Sequence, residues 1–420
     1  MPKSTDKTRI IHPHTYLKSN KIGVGIYLDY ASSANPECAN PGAIHSLGVR
    51  EKNKLENARK NVAAILQSQS SEVIFTSGST ESNNLAILGV LNAAKEKIPH
   101  FITTNIEHSS VLEIFKYLEE HKKAEVTFVE AEQNGMIDPE KIRKALKPNT
   151  VLVSVMYANG EIGTIEPLHA IGKVIRHYNK INSRKILFHT DATQAVNYLP
   201  IQVAKLGVDL MSFSSSKFYG PKGIGILYVK KNTPIRKIMF GGDHEFGLRP
   251  GTESVILALG LAEALTFTEK IKIKEVKRLV KLRDYFFTEL HKIFSSEGPT
   301  PVVRGRAQDK KFHEAKFIIN GDLKNRLPNN VNITIPNIPG DLLVIELSAR
   351  GIMASAKSAC KMGDEKASYV IKAIDKNIRE TDGSIRFSLG RATTKRDIIY
   401  TVKVLSQILI KLKKWYTQHT

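Results

Sequence analysis

Short apolar runs alternate with longer amphipathic stretches from about residue 70 onward. The apolar runs predict strands, and the stretches with apolar positions every three or four residues predict helices. The predicted strands cover residues 72–75, 100–104, 126–129, 151–156, 185–188, 208–213 and 224–229. Three helices are predicted between these strands. The first begins near Glu81, and the other two cover residues 111–120 and 168–179. This alternation predicts a largely parallel, buried sheet with helices on both faces.

The second part of the chain has a different pattern. Residues 256–294 have the periodicity of one long helix, and Pro299 and Pro301 end it. Strands are predicted at 330–334 and 384–387, and a basic amphipathic helix from about Lys395 to the end. We therefore predict an N-terminal segment (1–26), a large α/β domain (27–272) and a smaller α+β domain (273–420).

Composition narrows the class of protein. With 420 residues, 41% hydrophobic and 25% charged, the chain can bury a large core in two or three domains. No apolar run approaches a membrane span, and no apolar stretch follows the first basic residues, so we expect neither a membrane anchor nor a secretory signal. Two cysteines exclude a disulfide scaffold, a four-thiolate zinc site and a four-cysteine iron–sulfur cluster. The expected location is the cytoplasm.

The chain is strongly basic, with 62 Lys and Arg against 41 Asp and Glu, a net charge of +21. This balance favours anionic partners. The lysines are spread along the chain, which favours a solvated basic surface over a dedicated nucleic-acid site. A non-catalytic RNA-binding or scaffold protein nevertheless stays open as an alternative.

Polar side chains follow five of the predicted strands, where open α/β sheets bind ligands. They are Ser and Thr at 76–80, Glu107 and His108, Asn159 to Glu161, His189 to Gln194, and Ser214 to Lys217. Each group alone has an ordinary structural explanation, such as capping a helix. A lysine amine, a carboxylate and a phosphate-binding loop together are what pyridoxal 5'-phosphate (PLP) requires.

Several ordered motifs resemble those of the cysteine desulfurases. They are YLD at 27–29, FTSGSTESNNLAI at 75–87, EIGT at 161–164, HTDATQA at 189–195, KFYGPKG at 217–223 and SIRFSLGR at 384–391. The resemblance implies the PLP fold-type I architecture, in the class V aminotransferase branch, and a homodimer. It also implies that Lys217 binds PLP covalently, that Asp191 pairs with the pyridine nitrogen, and that His108 stacks on the ring and moves protons.

The same resemblance implies the remaining ligand contacts. Gln194 would bond the phenolic oxygen of PLP, and Asn159 would touch cofactor or substrate. Arg386 would bind the substrate carboxylate as a charge-assisted pair. The phosphate would be held by Ser79, Thr80 and Ser214, by Ser216, which stands where the family usually has His, and by Thr252 of the partner subunit.

Cys360 distinguishes a desulfurase from its relatives. It lies in a loop of small residues between Lys357 and Lys361, which favours the thiolate, whereas Cys38 is expected to be a small buried core residue. The resemblance implies that Cys360 takes sulfur from L-cysteine as a persulfide, releases L-alanine, and passes the sulfur to an iron–sulfur scaffold or a tRNA-thiolation protein. The alternative within the enzyme class is a selenocysteine lyase or another class V PLP enzyme, which would not need Cys360.

Overall fold

The computed structural model describes residues 21–22, 25–295, 302–303, 317–356, 368–379 and 382–419. Most of the first half of the chain forms one seven-stranded sheet in the order β3-β9-β8-β7-β6-β4-β5. Only β9 runs against its neighbours, because it pairs antiparallel with both β3 and β8 while the other pairs are parallel. The strands are β3 (Val73–Thr76), β4 (His100–Thr104), β5 (Glu125–Val129), β6 (Thr150–Ser154), β7 (Leu187–Asp191), β8 (Leu210–Ser214) and β9 (Gly225–Val229).

Helices cover both faces of this sheet. Successive strand residues point to opposite faces, and the cores divide accordingly: Phe101 packs in one core and Ile102 in the other. The first face carries α2 (Ser79–Ala93) and α3 (Ser109–Glu120). The second face is covered mainly by α1 (Ser46–Leu66) and α5 (Leu168–Ile181), and the short helices α4 (Pro139–Ala145) and α6 (Val203–Leu206) complete this layer.

A separate hydrophobic core is built from the later part of the chain. Its four-stranded sheet has the order β10-β11-β12-β13. The strands are β10 (Val302–Val303), β11 (Ile318–Ile319), β12 (Asn330–Ile335) and β13 (Gly383–Ser388), and the helices are α8 (Gly340–Ser348) and α10 (Lys395–His419). A short helix from the same part of the chain, α9 (Tyr369–Ile374), packs instead in the core of the large sheet. At the other end of the chain, β1 (Lys21–Ile22) and β2 (Gly25–Ile26) form an antiparallel pair.

One continuous helix, α7 (Val255–Ser295), joins the two parts. Leu261 and Leu265 pack in the core of the large sheet, whereas Phe286 and Leu290 pack in the core of the small one. The predicted boundary after residue 272 falls within this helix, and we retain it as a proposal.

The α/β class with a mainly parallel sheet is confirmed, and all the predicted strands are present with ends displaced by up to three residues. Helix α1 was not predicted. Within the described ranges, no helix has both the length and the apolar character that crossing a bilayer requires.

Candidate active site

Five strands that run in the same direction deliver the predicted site residues to one edge of the large sheet. Strands β3, β4, β6, β7 and β8 all end there. Their last residues are Thr76, Thr104, Ser154, Asp191 and Ser214. The polar segments that follow these strands therefore meet at a single edge, as the sequence predicts.

The first of these segments is a compact turn between β3 and α2. The Thr76 hydroxyl donates to the Gly78 carbonyl at 3.1 Å and lies 2.8 Å from the Ser82 hydroxyl. Gly78 has φ +155°, and a Cβ atom on Gly225 would lie 2.7 Å from the Gly78 backbone. No side chain caps α2. The backbone N–H groups of Ser79 and Thr80 in its first turn thus form a site suited to a phosphate.

Asp191 is the carboxylate at the end of β7, and it is buried. Its Oδ2 accepts a hydrogen bond from Asn83 Nδ2 at 2.8 Å, and its Oδ1 accepts from the backbone N–H of Thr193 at 2.9 Å. Two residues earlier, His189 lies between the hydroxyls of Ser154 and Ser212, at 2.8 and 3.1 Å. Burial lowers the pKa of His189 to about 4, so this imidazole is neutral at pH 7.

His108 is the N-cap of α3. Its Nδ1 accepts from the backbone N–H of Ser110 at 3.2 Å and lies 2.8 Å from the Ser110 hydroxyl. That hydroxyl also accepts from Asn83 Nδ2 at 2.9 Å. Since Asn83 contacts Asp191 as well, one amide joins the predicted ring-stacking residue to the predicted partner of the ring nitrogen.

Lys217 lies in a 3-10 turn, Ser215–Phe218, directly after β8. The turn ends at Tyr219 in the left-handed conformation, with φ +69°. The hydroxyls of Ser214 and Ser216 are 3.3 Å apart on the same turn. Both Lys217 and Ser216 are exposed, so the lysine amine and the Ser216 hydroxyl are accessible at the edge where Asp191 and the turn between β3 and α2 lie.

The loop after β6 brings three more predicted residues together. Arg386, on β13, donates from Nη1 to the Gly160 carbonyl at 3.0 Å. A Cβ atom on Gly160 would lie 2.8 Å from the Gln194 side chain, so glycine permits this close packing. The Asn159 oxygen accepts from the backbone N–H groups of Glu161 and Ile162 at 2.8 and 3.1 Å. The Asn159 oxygen therefore holds the loop, and its amide nitrogen donates one hydrogen to the Ile106 carbonyl at 3.0 Å, which leaves one amide hydrogen for a ligand.

Cys38 is exposed, so the prediction that it is a buried core residue is wrong. Cys360, Lys357 and Lys361 lie outside the described residues, but both neighbouring segments are described. Ser355 pairs with the backbone of Arg386, at 2.7 and 3.2 Å. The Tyr369 hydroxyl donates to the Glu107 carbonyl at 2.6 Å. The chain on each side of Cys360 is thus attached to a residue in or beside the predicted site.

Thr252 is exposed on a segment that is attached to the turn between β3 and α2. Arg249 Nε donates to Glu81 Oε1 at 2.9 Å, and Glu81 Oε2 accepts from the Ser77 backbone N–H at 2.7 Å. Burial by itself would raise the pKa of Glu81. The hydrogen bonds from Arg249 and Ser77, together with the Arg249 charge, outweigh burial and hold this pKa below its usual value. A cavity of about 180 Å³ lies between the two segments, and Thr252 and Ser77 both line it.

Sequence reasoning identified Glu107 only as a polar residue that follows a strand, and it missed the supporting residues Asn83 and Ser110. Asn83 and Glu107 are fully buried. Burial raises the pKa of Glu107 to about 8, although its Oε1 accepts from Thr104 and from the Met156 backbone. The only signal for Asn83 in the sequence is a polar residue within the apolar stretch of α2, where a buried amide must find a partner.

Comparison with known proteins gives the chain a family. It matches the Aminotransferase class-V family over residues 27–298. A cysteine desulfurase IscS from Dictyoglomus turgidum is 39% identical over 402 residues, which is 92% of this chain and 95% of that protein. The chain belongs to the cysteine desulfurase family. The predicted family and class of enzyme are therefore confirmed.

Solved structures agree with this assignment. A NifS-like protein has a TM-score of 0.77 at 33% identity, covering 88% of this chain and 91% of that one. A structure described as SspA in complex with cysteine has a TM-score of 0.65 at 31% identity, covering 84% and 90%. Cysteine desulfurases of this kind are PLP-dependent enzymes.

The residues at the sheet edge fit PLP in their chemistry. A phosphate needs N–H and hydroxyl donors, which the uncapped start of α2 and Ser214 supply. A protonated ring nitrogen needs a carboxylate, which Asp191 supplies. The buried hydroxyls of Thr193 and Ser215, on either side of this edge, have no hydrogen-bond partner among the described residues. A buried hydroxyl needs a hydrogen-bond partner, and a bound cofactor at this edge is one group that could supply it.

Proposed function

We propose that the protein is a PLP-dependent cysteine desulfurase that removes sulfur from L-cysteine, releases L-alanine and keeps the sulfur on Cys360. The main support is the shared edge of the sheet, where the Lys217 turn, the Asp191 carboxylate and the open start of α2 follow strands of one sheet. Family membership favours this enzyme over a non-catalytic RNA-binding or scaffold protein.

PLP, when bound, supplies an electron sink that stabilises negative charge at the substrate Cα. We assign the phosphate to Ser79, Thr80, Ser214 and Ser216, with Thr252 from the partner subunit. Gln194 and Asn159 are the proposed further contacts, and Asp191 holds the proton on the ring nitrogen. His108 stacks on the ring.

The remaining steps belong to the chain's own side chains. Arg386 binds the substrate carboxylate through its guanidinium. Lys217 and His108 are the groups that hold and move the proton taken from Cα. The Cys360 thiolate then attacks the substrate sulfur: a sulfur–sulfur bond forms, the carbon–sulfur bond breaks, and its electron pair stays with the carbon fragment that leaves as alanine.

Three further proposals concern the setting of the reaction. We propose a homodimer, because Thr252 is exposed and the segment leading to it also exposes Phe240 (85%) and Phe246 (56%). The proposed acceptor of the sulfur is an iron–sulfur scaffold or a tRNA-thiolation protein. The proposed compartment is the cytoplasm.

The decisive experiment is to map the transferred sulfur. After incubation with L-cysteine, mass spectrometry is expected to find one added sulfur on the Cys360 peptide and none on the Cys38 peptide. Cys360→Ser should keep the spectrum of bound PLP and lose alanine production, because a serine hydroxyl is not nucleophilic at neutral pH. Cys38→Ser is the matched control and should behave as wild type.

Other results would redirect the assignment. Normal alanine release by Cys360→Ser would favour a lyase that does not need this cysteine. Borohydride reduction that fixes PLP on a lysine other than Lys217 would show that the site is misassigned.

A further inference from the structure

A continuous chain of hydrogen bonds connects Asp191 to His108. Asn83 Nδ2 lies 2.8 Å from Asp191 Oδ2 and 2.9 Å from the Ser110 hydroxyl. The Ser110 hydroxyl lies 2.8 Å from His108 Nδ1. These contacts join β7, α2 and α3, and the mechanism proposed above gives no role to Asn83 or Ser110.

The direction of each hydrogen bond follows from the groups that take part. A carboxylate only accepts, so the Asn83 amide must turn its nitrogen toward Asp191. The same nitrogen donates to the Ser110 oxygen. The backbone N–H of Ser110 can only donate, and it points at His108 Nδ1 at 3.2 Å. Nδ1 therefore carries no hydrogen, and the Ser110 hydroxyl donates its own hydrogen to it.

A second feature sets Asn83 apart. Its side chain is completely buried, and its Oδ1 has no hydrogen-bond partner among the described residues. Leaving a buried carbonyl oxygen unsatisfied destabilises a protein. The two hydrogen bonds that the Asn83 nitrogen donates, to Asp191 and to Ser110, therefore explain an asparagine at this position better than packing does.

We propose that Asn83 and Ser110 are positioning residues that hold His108 with its proton on Nε2, so that His108 acts as a hydrogen-bond donor and Lys217 accepts the substrate proton. The inference builds on the proposed function. The proposed mechanism assigns the Cα proton to Lys217 and His108 together, whereas this inference gives the proton transfer to Lys217 and a hydrogen-bonding role to His108.

The division follows from the state of the two ring nitrogens. Nε2 already carries a hydrogen, so it can donate to a group of the reacting system but cannot take a proton from it. Nδ1 is engaged by two donors of Ser110 on the α3 side. The proton that leaves Cα then goes to Lys217 Nζ, which becomes an ammonium and later returns the proton.

The first test is spectroscopic and does not depend on turnover. In protein labelled with 15N-histidine, His108 is assigned by its loss in His108→Gln, and the Nε2–H tautomer is expected. Ser110→Ala removes the hydroxyl that donates to Nδ1, and Asn83→Leu removes the amide that orients this hydroxyl, so both variants should shift the Nδ1 resonance. Ser110→Thr keeps a hydroxyl and should show the wild-type resonance. Asn84→Leu, the neighbouring asparagine whose amide bonds only the Thr80 carbonyl among described residues, is the matched control.

The second test uses kinetics. Asn83→Leu and Ser110→Ala should lower kcat roughly 3- to 10-fold, as expected for one lost hydrogen bond, with cofactor loading and KM little changed. His108→Gln retains an N–H near Nε2, whereas His108→Asn retains only the acceptor that caps α3. We expect His108→Gln to keep kcat within about tenfold of wild type and His108→Asn to lose roughly 100-fold.

The outcomes separate this inference from the proposed function. An Nδ1–H tautomer in the wild type, or equal losses of roughly 100-fold or more in both His108 variants, overturns the inference while desulfurase activity stands. A wild type without desulfurase activity refutes the proposed function, and the NMR result still decides whether the hydrogen-bonded chain exists.

Discussion

Glu107 is a carboxyl group held in the interior, one residue before His108. Burial raises its pKa to about 8, and the Asp191 charge acts in the same direction. Glu166, also buried, has its pKa raised well above the usual value, mainly by burial and further by Glu107. Because a buried carboxyl group avoids ionisation, Glu107 stays protonated at neutral pH.

This protonation predicts a pH dependence of stability. Between pH 4.5, the ordinary pKa, and about pH 8, the unfolded chain releases the Glu107 proton while the folded chain keeps it. The free energy of unfolding should therefore fall as pH rises through this window. Glu107→Gln, which keeps an oxygen for Thr104 and Met156, should match wild type near pH 4.5 and melt at a higher temperature at pH 8.

Thermal melts at several pH values test this prediction. Glu140→Gln, at an exposed ion pair with Arg143, is the control and should follow the wild-type profile across the window. A Glu107→Gln curve parallel to wild type at every pH would contradict the assignment of the buried proton.

Arg59 and Glu245 form a buried ion pair beside β3, the strand that leads into the turn before α2. Arg59 donates from Nη1 and Nη2 to the two Glu245 oxygens at 2.6 and 2.8 Å. Glu245 Oε2 also accepts from the Phe75 backbone at 2.8 Å. Glu245, Phe246 and Gly247 all have positive φ, a conformation that costs energy in the first two. The ion pair therefore holds a strained turn against β3.

Arg59→Met should lower the free energy of unfolding by about 3–5 kcal/mol, because it leaves the buried Glu245 charge without a partner. The double variant Arg59→Met/Glu245→Gln should recover part of this loss. Lys116→Met, at an exposed ion pair, should cost at most about 1 kcal/mol. Urea unfolding measures all three, and a wild-type midpoint for Arg59→Met would exclude a stabilising role.

The sequence located the polar residues at the ends of the strands better than the buried residues that support them. Asp191, His108 and Lys217 could be found because they follow strands. The roles of Asn83 and Ser110 depend on contacts between α2, α3 and β7, and no local pattern specifies which buried polar groups meet.

At the scale of elements, the edge of the sheet depends on one close approach. Gly225 begins β9 and pairs with both Thr76 and Ser214, so it lies between the turn that precedes α2 and the turn that carries Lys217. A Cβ atom there would meet Gly78 backbone atoms at 2.7 Å and the Phe213 oxygen at 2.8 Å. Neither neighbour is a side chain that could move away.

Gly225→Ala should therefore weaken PLP binding by roughly tenfold or more, corresponding to about 1.4 kcal/mol. Titration of PLP onto the apoenzyme measures the effect. Gly172→Ala is the control, since its Cβ would meet most closely the mobile end of Arg176 at 2.9 Å. Equal PLP affinity in Gly225→Ala and wild type would show that the Gly78 and Phe213 backbone atoms can move away from the added Cβ atom without a loss of PLP binding.

The periodicity of the chain located these elements well but did not give every boundary. Strand β4 has the predicted limits, whereas α2 starts at Ser79, two residues before the predicted Glu81. The difference arises because Gly78 turns the chain, which apolar periodicity does not record. Helix α1 was missed because its exposed side is rich in charged residues and its apolar positions are few.

At the scale of the whole molecule, we expect a dimer that completes the phosphate site. Phe240→Asp should shift sedimentation from dimer toward monomer and lower PLP affinity, because an exposed apolar group near Thr252 would be replaced by a charge. Ile181→Asp, at the end of α5 and 64% exposed, is the control and should leave the dimer intact. A fully active wild-type monomer would contradict this arrangement.

Helix α7 has a consequence for how the molecule can be cut. Its 41 residues span about 60 Å and pass from one hydrophobic core into the other. Proteases cleave polypeptide segments that are exposed and extended, whereas the connection between the two cores is helical. A nick between residues 255 and 295 would require the helix to unwind and both cores to lose packing. Limited digestion should therefore leave the two cores on one fragment across this connection, although they are built from different parts of the sequence.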